Sequence, residues 1–278
     1  RCAFILFGDL TLPLTPSEAS QLLRAMLDHG VVLFRGQNLC DEELVRFTAY
    51  FGKPVPHVRK QRPRRVKEVF LISNIVEDGE PIGALGNGEL AWHTDMSNHA
   101  EPSSASALYA IEVPRLGGDT LFCSMYSAFE ALSAPLRNFL EGLRARHDFA
   151  VNTRVGFTRE TSSEGDLDGA NAALHPVVRV HGDTGRKCLF VNPGNTSHVE
   201  GLAPRESAGL LRFLYHHCVR PEFLYRHRWS VNDLVIWDNR CTMHYALADY
   251  DEERYMHRTT VIGERPGGAR RAADGERA

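Results

Sequence analysis

The sequence predicts a mainly β fold with flanking helices, arranged as a barrel or as a two-sheet sandwich. Many short segments have the composition of β-strands and are separated by turns rich in Gly and Pro. The helical patterns gather near the start of the chain and in a few insertions. The strict alternation of strands and helices that a parallel doubly wound sheet requires is absent, so we do not expect that class.

Length and composition predict one domain. The chain has 278 residues, of which 43% are apolar and 24% charged, the balance of an ordinary globular protein with a full core. No Ser/Gly-rich linker or sharp change in composition divides it. We therefore expect a single domain over residues 1–264 and a disordered tail over residues 265–278, where Gly, Ala and Arg predominate.

Charge and cysteine usage indicate the kind of partner. A formal net charge of -3 provides no general attraction to nucleic acid or to an anionic membrane, and no apolar run approaches the roughly 18 residues of a spanning helix. The six cysteines are scattered without a CxxC pair, as in a reducing cytosol. We expect a cytoplasmic protein with a small-molecule substrate, and the sequence is compatible with a homo-oligomer. The Arg1-Cys2 start lacks a signal-peptide pattern, although a trimmed leader stays open.

The first helix has a clear beginning and end. Thr15 can cap it and Glu18 completes a capping box, while Gly30 stops it. The apolar run at 31–34 reads as a buried strand. A second helix is expected over about 41–50, because its apolar residues fall on one face.

The rest of the chain combines further strands with two helical regions. One helical pattern, at 126–144, is broken near Ser133-Ala134-Pro135, and the other spans 204–218. Gly182-Asp183-Thr184-Gly185 is typical of a hairpin turn between two strands. The expected strands are 68–75, 103–113, 120–123, 177–181, 187–192, 233–237 and 257–263.

Two loops are of functional interest. A basic run over 59–65 is typical of a solvated loop, and beside an active site it would favour an anionic substrate or close as a lid. The segment 153–171 holds Ser, Gly, Thr and acidic residues with few apolar anchors. We therefore expect a mobile loop there and hypothesise that it is a lid.

His93 and Asp95 are the first candidates for a metal site. Two residues apart in a strand, they would project on the same face and reach one ion. With a remote histidine they would form a 2-His-1-carboxylate facial triad, which suits Fe(II) because adjacent positions stay open for cosubstrate and oxygen. The spacing alone is weak evidence, since His-x-Asp recurs at His181 and Asp183. There the hairpin gives Asp183 a simple role in satisfying turn amides.

The remote histidine is not fixed by composition. His198 and Glu200 repeat a related spacing in a loop, where we favour a surface or packing role. The candidates for the second imidazole include His57, His147, His175, His216, His217, His227, His244 and His257.

A resemblance to a known family selects among these histidines. The motifs that carry it are Trp92-His93-Thr94-Asp95, Gly117-Gly118-Asp119-Thr120, and Ile236 to Ala246 continuing through Asp249-Tyr250 and Arg254 to Thr260. In this order they resemble the signatures of the taurine dioxygenase superfamily, which includes dioxygenases that cleave phenoxyacetate herbicides. The similarity runs from about Val31 through Pro266.

The resemblance implies both the fold and the metal. It implies a double-stranded β-helix, a cupin-like jelly roll with iron between its sheets. It implies His93, Asp95 and His244 as ligands of Fe(II), with 2-oxoglutarate chelating the metal through its keto acid end and O2 as the oxidant.

The resemblance also implies how 2-oxoglutarate is held. Thr120 and Arg254 match the family residues that bind its distal carboxylate, a task that suits the planar fork of arginine. The alternative for Arg254 is a surface salt bridge with Glu252 or Asp249.

Three further residues are candidates for substrate binding. Arg258 matches a position that grips an acidic group in several family members, although some relatives use it for 2-oxoglutarate. His57 and Asn74 lie near substrate-contacting positions of the family, with loop packing as the alternative for each. Trp92 and Trp237 are expected to wall the pocket, or to belong to the core.

The expected reaction is the oxidative decarboxylation of 2-oxoglutarate to succinate and CO2, coupled to hydroxylation of a small, acidic substrate. Desaturation, epoxidation or cyclisation of a biosynthetic intermediate is the alternative outcome. Halogenation is disfavoured because Asp95 is a carboxylate. Two alternatives of another class are a non-catalytic jelly-roll protein with structural zinc and a zinc hydrolase; the first is disfavoured because structural zinc sites usually have four protein ligands.

Overall fold

The structure is a computed structural model that describes residues 3–6, 8–57, 62–84, 91–148 and 172–268. The helices are α1 (Pro16–His29), α2 (Asp41–Thr48), α3 (Met125–Glu130), α4 (Ala134–Leu140) and α5 (Pro204–Cys218). The strands are β1 (Phe4–Leu6), β2 (Val31–Phe34), β3 (Pro54–Val55), β4 (Phe70–Ser73), β5 (Val76–Glu77), β6 (Glu80–Pro81), β7 (Ala105–Glu112), β8 (Thr120–Ser124), β9 (Arg144–Asp148), β10 (Ala172–Pro176), β11 (Val178–Val180), β12 (Lys187–Leu189), β13 (Thr196–Val199), β14 (Leu224–His227), β15 (Leu234–Asp238), β16 (Thr242–Ala246), β17 (Tyr255–Val261) and β18 (Gly267–Gly268).

A seven-stranded sheet forms the main wall of the described part of the chain. Its order is β1-β2-β15-β7-β17-β3, and β4 also pairs with β17. All of its pairings are antiparallel except that of β1 with β2. The mainly β fold with few helices that the sequence predicts is confirmed.

The helices α1 and α2 cover one face of this sheet. The hydroxyl of Thr15 accepts from the amide of Glu18, whose carboxylate accepts from the amide of Thr15, and Gly30 ends α1 at a positive φ of 74°. The apolar side of α1 packs with Val32 and Phe34 of β2. The predicted capping box and helix end are therefore confirmed.

A three-stranded sheet, β14-β8-β16, packs against the other face. Phe122 of β8 and Tyr225 of β14 share a buried cluster with Val31, Trp237 and Met256 of the large sheet. Because β2 is buried on both faces, its residues alternate between the helix side and this inner side. The space between the two sheets is where the candidate site lies.

One predicted helix ends too late, and several strands were missed, β9 among them. We predicted helix over 126–144, but α4 ends at Leu140 and β9 begins at Arg144. Ala145 and His147 are buried while Arg144 and Arg146 are exposed, a period of two residues that fits a strand. Pairing with β10 and β13 satisfies its main chain.

Part of the predicted tail lies among the described residues. Gly267 and Gly268 form β18, which pairs with Arg179 and Val180 of β11. These two residues are therefore in a strand, while the single domain over residues 1–264 stays a prediction. Residues 269–278 and the predicted lid at 153–171 lie outside the described residues.

The structure describes residues 62–65 of the basic run. Residues 59–61 lie outside the described part, whereas Arg62 is 3.0 Å from Glu77 and Arg64 is 2.5 Å from Asp41. Arg65 contacts Glu42. These arginines therefore pair with acidic side chains of the surrounding fold. Among the residues that the structure describes, every helix is too short or too polar to span a bilayer.

Candidate active site

Three donor atoms converge beside the middle of β16. Nε2 of His93 lies 3.6 Å and Nε2 of His244 lies 3.7 Å from Oδ1 of Asp95. The three side chains each offer one atom within 4.8 Å of the others, and all lie at least partly buried. This spacing allows one metal ion to contact all three.

The main chain brings the two histidines together. His93 and His244 form an isolated antiparallel bridge, in which each amide donates to the other's carbonyl at 3.0 and 2.8 Å. The predicted strand through His93 and Asp95 is wrong, because after the bridge the chain turns, with Met96 at φ 54°. The hydroxyl of Thr94 donates to a carbonyl of β16 at 3.1 Å. A turn, and not a pleat, therefore places Asp95 beside His93.

Hydrogen bonding and burial prepare these side chains for a cation. Nδ1 of His93 lies 2.9 Å from the carbonyl of Ala91, which can only accept, so Nδ1 donates to it and Nε2 is the nitrogen that faces Asp95. Burial and the neighbouring His93 lower the pKa of His244 well below its usual value. Burial alone would raise the pKa of Asp95, but Arg258 and His244 hold it well below its usual value. Two imidazoles and a carboxylate fit an Fe(II) site.

The second oxygen of Asp95 is engaged by protein groups. Oδ2 accepts from the hydroxyl of Ser106 at 2.7 Å and lies 2.5 Å from Nη2 of Arg258. Both partners are buried. Only Oδ1 therefore faces the two histidine nitrogens.

The turn at Gly117 and Gly118 shows why this motif contains two glycines. Both residues have positive φ, and a Cβ on Gly117 would lie 2.4 Å from the carbonyl oxygen of Asp249. The amide of Gly118 donates to the Asp249 carboxylate, and its ideal Cβ position lies 3.3 Å from the ring of Tyr250. The turn thereby fixes Thr120, at the start of β8, against the segment that contains Tyr250. Oγ1 of Thr120 accepts from the indole of Trp229 at 3.0 Å.

Arg254 is a buried cation without an acidic partner among the described residues. Its side chain is 5% exposed, Nε has no hydrogen-bond partner there, and its described side-chain bond is to Tyr250. The pKa of Arg254 is lowered by burial. The alternative salt bridge is not formed, since Glu252 pairs with Arg115 and Asp249 caps the Gly118 amide. Contacts therefore run from Arg254 through Tyr250 to Gly118, which lies two residues before Thr120.

Arg258 and His57 lie on the inner side of the large sheet. Arg258 is directly opposite Phe70 in the pairing of β17 with β4, so the two side chains share a face. The ring of His57 stacks on Phe70 with centroids 4.1 Å apart. This places His57 on the same side as the guanidinium of Arg258, which lies 5.9 Å from the ring centroid of Trp237.

Asn74 contacts main chain and not the donor cluster. Its Nδ2 donates to the carbonyl of Glu252 at 2.9 Å, and its Oδ1 accepts from the amide of Arg254 at 2.7 Å. The amide therefore positions the segment that carries Arg254. Contact of Asn74 with a substrate stays a prediction.

The two tryptophans have different surroundings. The ring of Trp237 lies 4.8 Å from that of His244 and is fully buried. Trp92 stacks on Tyr245 with centroids 5.6 Å apart and packs against the α3 to α5 side of the core. Trp237 therefore lines the donor cluster, and Trp92 belongs to the packing behind it.

The other histidine candidates lie away from the donor cluster or on the surface. His147 and His175 pack edge to face beside Phe190 in the core. His216 is exposed on α5. The remaining three have partners elsewhere, including the Ala128 carbonyl for His217, Tyr225 for His227 and Asp41 for His257.

The second His-x-Asp motif has a structural role, as predicted. The side chain that binds the turn amides, however, is not the predicted one. Nδ1 of His181 accepts the turn amides of Asp183 and Thr184, at 3.2 and 3.3 Å. The carboxylate of Asp183 instead pairs with Arg240 at 2.7 Å. The prediction that Asp183 satisfies the turn amides is therefore wrong, because these two amides donate to the imidazole and the carboxylate pairs with Arg240. His198 is exposed beside Ser197, as expected of a surface residue.

Three contacting residues were missed in the sequence. Ser106 sits in an apolar strand pattern that gives no signal, and Trp229 lies outside every motif. Asn239 falls within the stretch from Trp237 to His244, which indicated its proximity but not its role. Their contacts depend on strand pairing, which a single sequence does not reveal.

Two sheets enclosing a 2-His-1-carboxylate cluster are typical of mononuclear non-haem iron oxygenases. The chain belongs to the taurine catabolism dioxygenase TauD, TfdA family, whose sequence model matches residues 8–260. The family resemblance noted in the sequence is therefore confirmed. The protein is a 2-oxoglutarate-dependent dioxygenase that uses Fe(II), 2-oxoglutarate and O2. The non-catalytic and hydrolase alternatives are set aside.

Individual relatives agree with this assignment. An alpha-ketoglutarate-dependent 2,4-dichlorophenoxyacetate dioxygenase from Cupriavidus pinatubonensis is 38% identical over 269 residues, which cover 92% of each chain. The crystal structure of a taurine dioxygenase from Burkholderia xenovorans matches with a TM-score of 0.80 at 37% identity, covering 96% of this chain and 88% of that one. A structure of AAD-2 in complex with Mn(II) and N-oxalylglycine matches with a TM-score of 0.78 at 32% identity, covering 95% of this chain and 94% of that one.

Proposed function

We propose that this dioxygenase hydroxylates an unactivated C–H bond of a small organic acid and releases succinate and CO2. The observation that carries the proposal is the position of Arg258, a buried guanidinium that contacts Asp95 and retains an unpaired Nε among the described residues. A cation in this place attracts an acidic group to the donor cluster. The relatives named above, which act on a phenoxyacetate or are called taurine dioxygenase, support an acidic substrate.

His93, Asp95 and His244 would hold Fe(II). The metal, once bound with 2-oxoglutarate and O2, supplies the oxidising chemistry, while the chain supplies ligation, orientation and exclusion of water. The convergence of two imidazole nitrogens and one carboxylate oxygen supports this assignment. Three protein ligands would leave other coordination positions of the ion for a cosubstrate.

Arg254 and Thr120 would bind the distal carboxylate of 2-oxoglutarate. A buried guanidinium without a carboxylate partner carries an unfavourable desolvation that a bound carboxylate would relieve. Because Trp229 already donates to Oγ1 of Thr120, the hydroxyl hydrogen is left to donate to an acceptor such as that carboxylate.

Arg258 and His57 would contact the acidic group of the substrate. The stacking of His57 on Phe70, opposite Arg258 in the sheet, supports a shared role. Binding of a carboxylate of 2-oxoglutarate by Arg258 is the alternative, and the two roles differ in which Michaelis constant a variant changes. Asn74 would act indirectly, by positioning the segment that carries Arg254.

The fold can be stated more finely as part of the same proposal. The large sheet and the β14-β8-β16 sheet would form the two halves of a double-stranded β-helix, the jelly roll, within a single catalytic domain. Their packing on a common buried cluster supports this arrangement. Desaturation, epoxidation or cyclisation remains the alternative reaction, because it needs only a different fate of the oxidised substrate.

The test is a screen of small carboxylates, sulfonates and phosphonates by oxygen uptake, coupled to succinate release and product mass. The proposal expects uptake that requires Fe(II) and 2-oxoglutarate, and a product heavier than its substrate by about 16 mass units. A product lighter by about 2 mass units would indicate desaturation instead. Acceptance of neutral analogues as readily as acids would contradict the acidic substrate class. His244→Ala serves as the inactive control.

A further inference from the structure

A chain of buried side chains reaches the back of the Asp95 carboxylate. Nε1 of Trp237 donates to Oδ1 of Asn239 at 2.9 Å, and Nδ2 of Asn239 donates to Oγ of Ser106 at 3.0 Å. Ser106 in turn donates to Oδ2 of Asp95 at 2.7 Å. All four residues are at most 4% exposed.

The direction of each hydrogen bond in this chain is fixed by chemistry. An indole N–H can only donate, so the amide oxygen of Asn239 must face Trp237 and its NH2 group must face Ser106. The NH2 group also lies 3.2 Å from Oγ of Ser103, which again places it on the serine side. Since Ser106 receives a hydrogen from Asn239, its own hydrogen is directed to Asp95.

The main chain makes the arrangement rigid. Ser106 on β7 is the direct pairing partner of Trp237 on the neighbouring strand β15, in the centre of the large sheet. The amide of Asn239 donates to the carbonyl of Ser104 at 2.9 Å, which fixes the residue just after β15. The chain of hydrogen bonds is therefore built on paired strands and not on mobile loops.

We propose that Trp237, Asn239 and Ser106 form a positioning relay that keeps Asp95 a one-oxygen metal ligand. The inference rests on the proposed role of Asp95 in holding Fe(II). With Ser106 and Arg258 both donating to Oδ2, that oxygen is withheld from the ion and Oδ1 alone is presented. A carboxylate binding through both oxygens would occupy a further position on the side where cosubstrate and O2 must enter. Groups that orient ligands in this way tune both affinity and geometry.

The test uses Co(II) as the probe, titrated into metal-free protein without 2-oxoglutarate or O2 and followed by visible absorption. Ser106→Ala should weaken Co(II) binding by about 10- to 100-fold. It should also change the visible spectrum of the bound ion, because freeing Oδ2 alters the coordination. The spectrum is a readout that loss of stability alone would not move.

Two further variants separate the relay from general effects. Thr48→Val removes a buried hydroxyl that lies 2.6 Å from Thr259, on the helix-covered side of the sheet, and should leave Co(II) affinity and spectrum unchanged. The double variant Ser106→Ala/Asn239→Ala should bind Co(II) as Ser106→Ala does, because Asn239 acts through Ser106.

The outcomes distinguish the relay from the proposed metal site. If the wild type and His244→Ala bind Co(II) alike, the metal assignment fails. If only His244→Ala loses the ion while Ser106→Ala keeps the affinity and spectrum of the wild type, the metal site stands and the relay is overturned. A greater loss of Co(II) affinity in the double variant than in Ser106→Ala would likewise contradict a relay that runs through Ser106.

Discussion

Nη2 of Arg258 lies 2.5 Å from Oδ2 of Asp95, while the buried Nε of the same guanidinium has no hydrogen-bond partner among the described residues. This contact joins two roles, support of Asp95 and binding of an acidic group, that the sequence treats as separate. Nη2 holds Asp95 in place, and Nε is left to donate to an anion. Arg258 therefore stands between the candidate metal site and the candidate acid-binding site.

Replacement of Arg258 by Ala should separate these tasks. We expect the Michaelis constant of the acidic substrate to rise at least about 10-fold, the loss of roughly one charge-assisted hydrogen bond. Turnover of 2-oxoglutarate without substrate should persist once Fe(II) is raised to saturation. Steady-state kinetics with each ligand varied in turn are the measurement. An equal loss of 2-oxoglutarate binding would reassign Arg258 to the cosubstrate.

Replacement of Arg254 by Met should weaken 2-oxoglutarate binding by on the order of 100-fold, while the ligand-free protein keeps or gains thermal stability. The reason is that a buried cation, which lacks an acidic partner among the described residues, costs desolvation energy that an apolar side chain of similar length avoids. Calorimetry of 2-oxoglutarate binding and thermal unfolding of the free protein check the two halves. Arg115→Met, which removes an exposed arginine paired with Glu252, is the matched control. Unchanged binding in Arg254→Met would rule out its role.

Trp229→Phe should raise the Michaelis constant of 2-oxoglutarate by about 5-fold, which corresponds to about 1 kcal/mol for one neutral hydrogen bond. The ring that packs edge to face on His227 is retained, and only the N–H that orients Thr120 is lost. Kinetics of Trp229→Phe, Thr120→Val and the double variant give the measurement. If Trp229 acts through Thr120, the double variant matches Thr120→Val, and independent losses would show otherwise.

Acid should destabilise the protein through His147. Burial and the nearby His175 lower the pKa of His147 from 6.5 to about 3. The folded state therefore keeps the ring neutral, whereas the unfolded chain binds a proton below about pH 6.5. The stabilising contribution is full above that pH and declines by about 1.4 kcal/mol for each pH unit as the pH falls towards 3.

Urea unfolding at pH 7.5 and 5.5 tests this expectation. His147→Phe should lose about 1 kcal/mol less stability than the wild type between these pH values. His198→Phe, which removes an exposed histidine, is the control. Identical losses in the wild type and His147→Phe would contradict the account.

The sequence predicted those elements whose ends are determined by residues close by in the chain. Thr15, Glu18 and Gly30 define α1 because capping depends on neighbours in the chain. The strand β9 was missed because its charged residues read as the end of a helix, and only its pairing with β10 and β13 decides the conformation. Long-range pairing is the part that a single sequence does not contain.

The candidate site, like the fold, was predicted from the sequence only in part. His93, Asp95 and His244 were chosen through motif order, yet their meeting depends on one bridge between residues far apart in the chain. Ser106 could not have been found, because a serine within an apolar strand gives no sign of what faces it. Its contact with Asp95 follows from the pairing of β7 with β15 and the turn after His93.

The most direct test of the central claim is an anaerobic titration of the protein with Fe(II) and 2-oxoglutarate, followed by visible absorption. The account predicts the weak visible band of the iron chelate in the wild type, saturating at one equivalent of Fe(II) per chain. The band should be absent from His244→Ala, although that variant still folds. A folded wild type that shows no band, or a His244→Ala variant that shows the full band, would contradict the assignment of His93, Asp95 and His244 as the iron site.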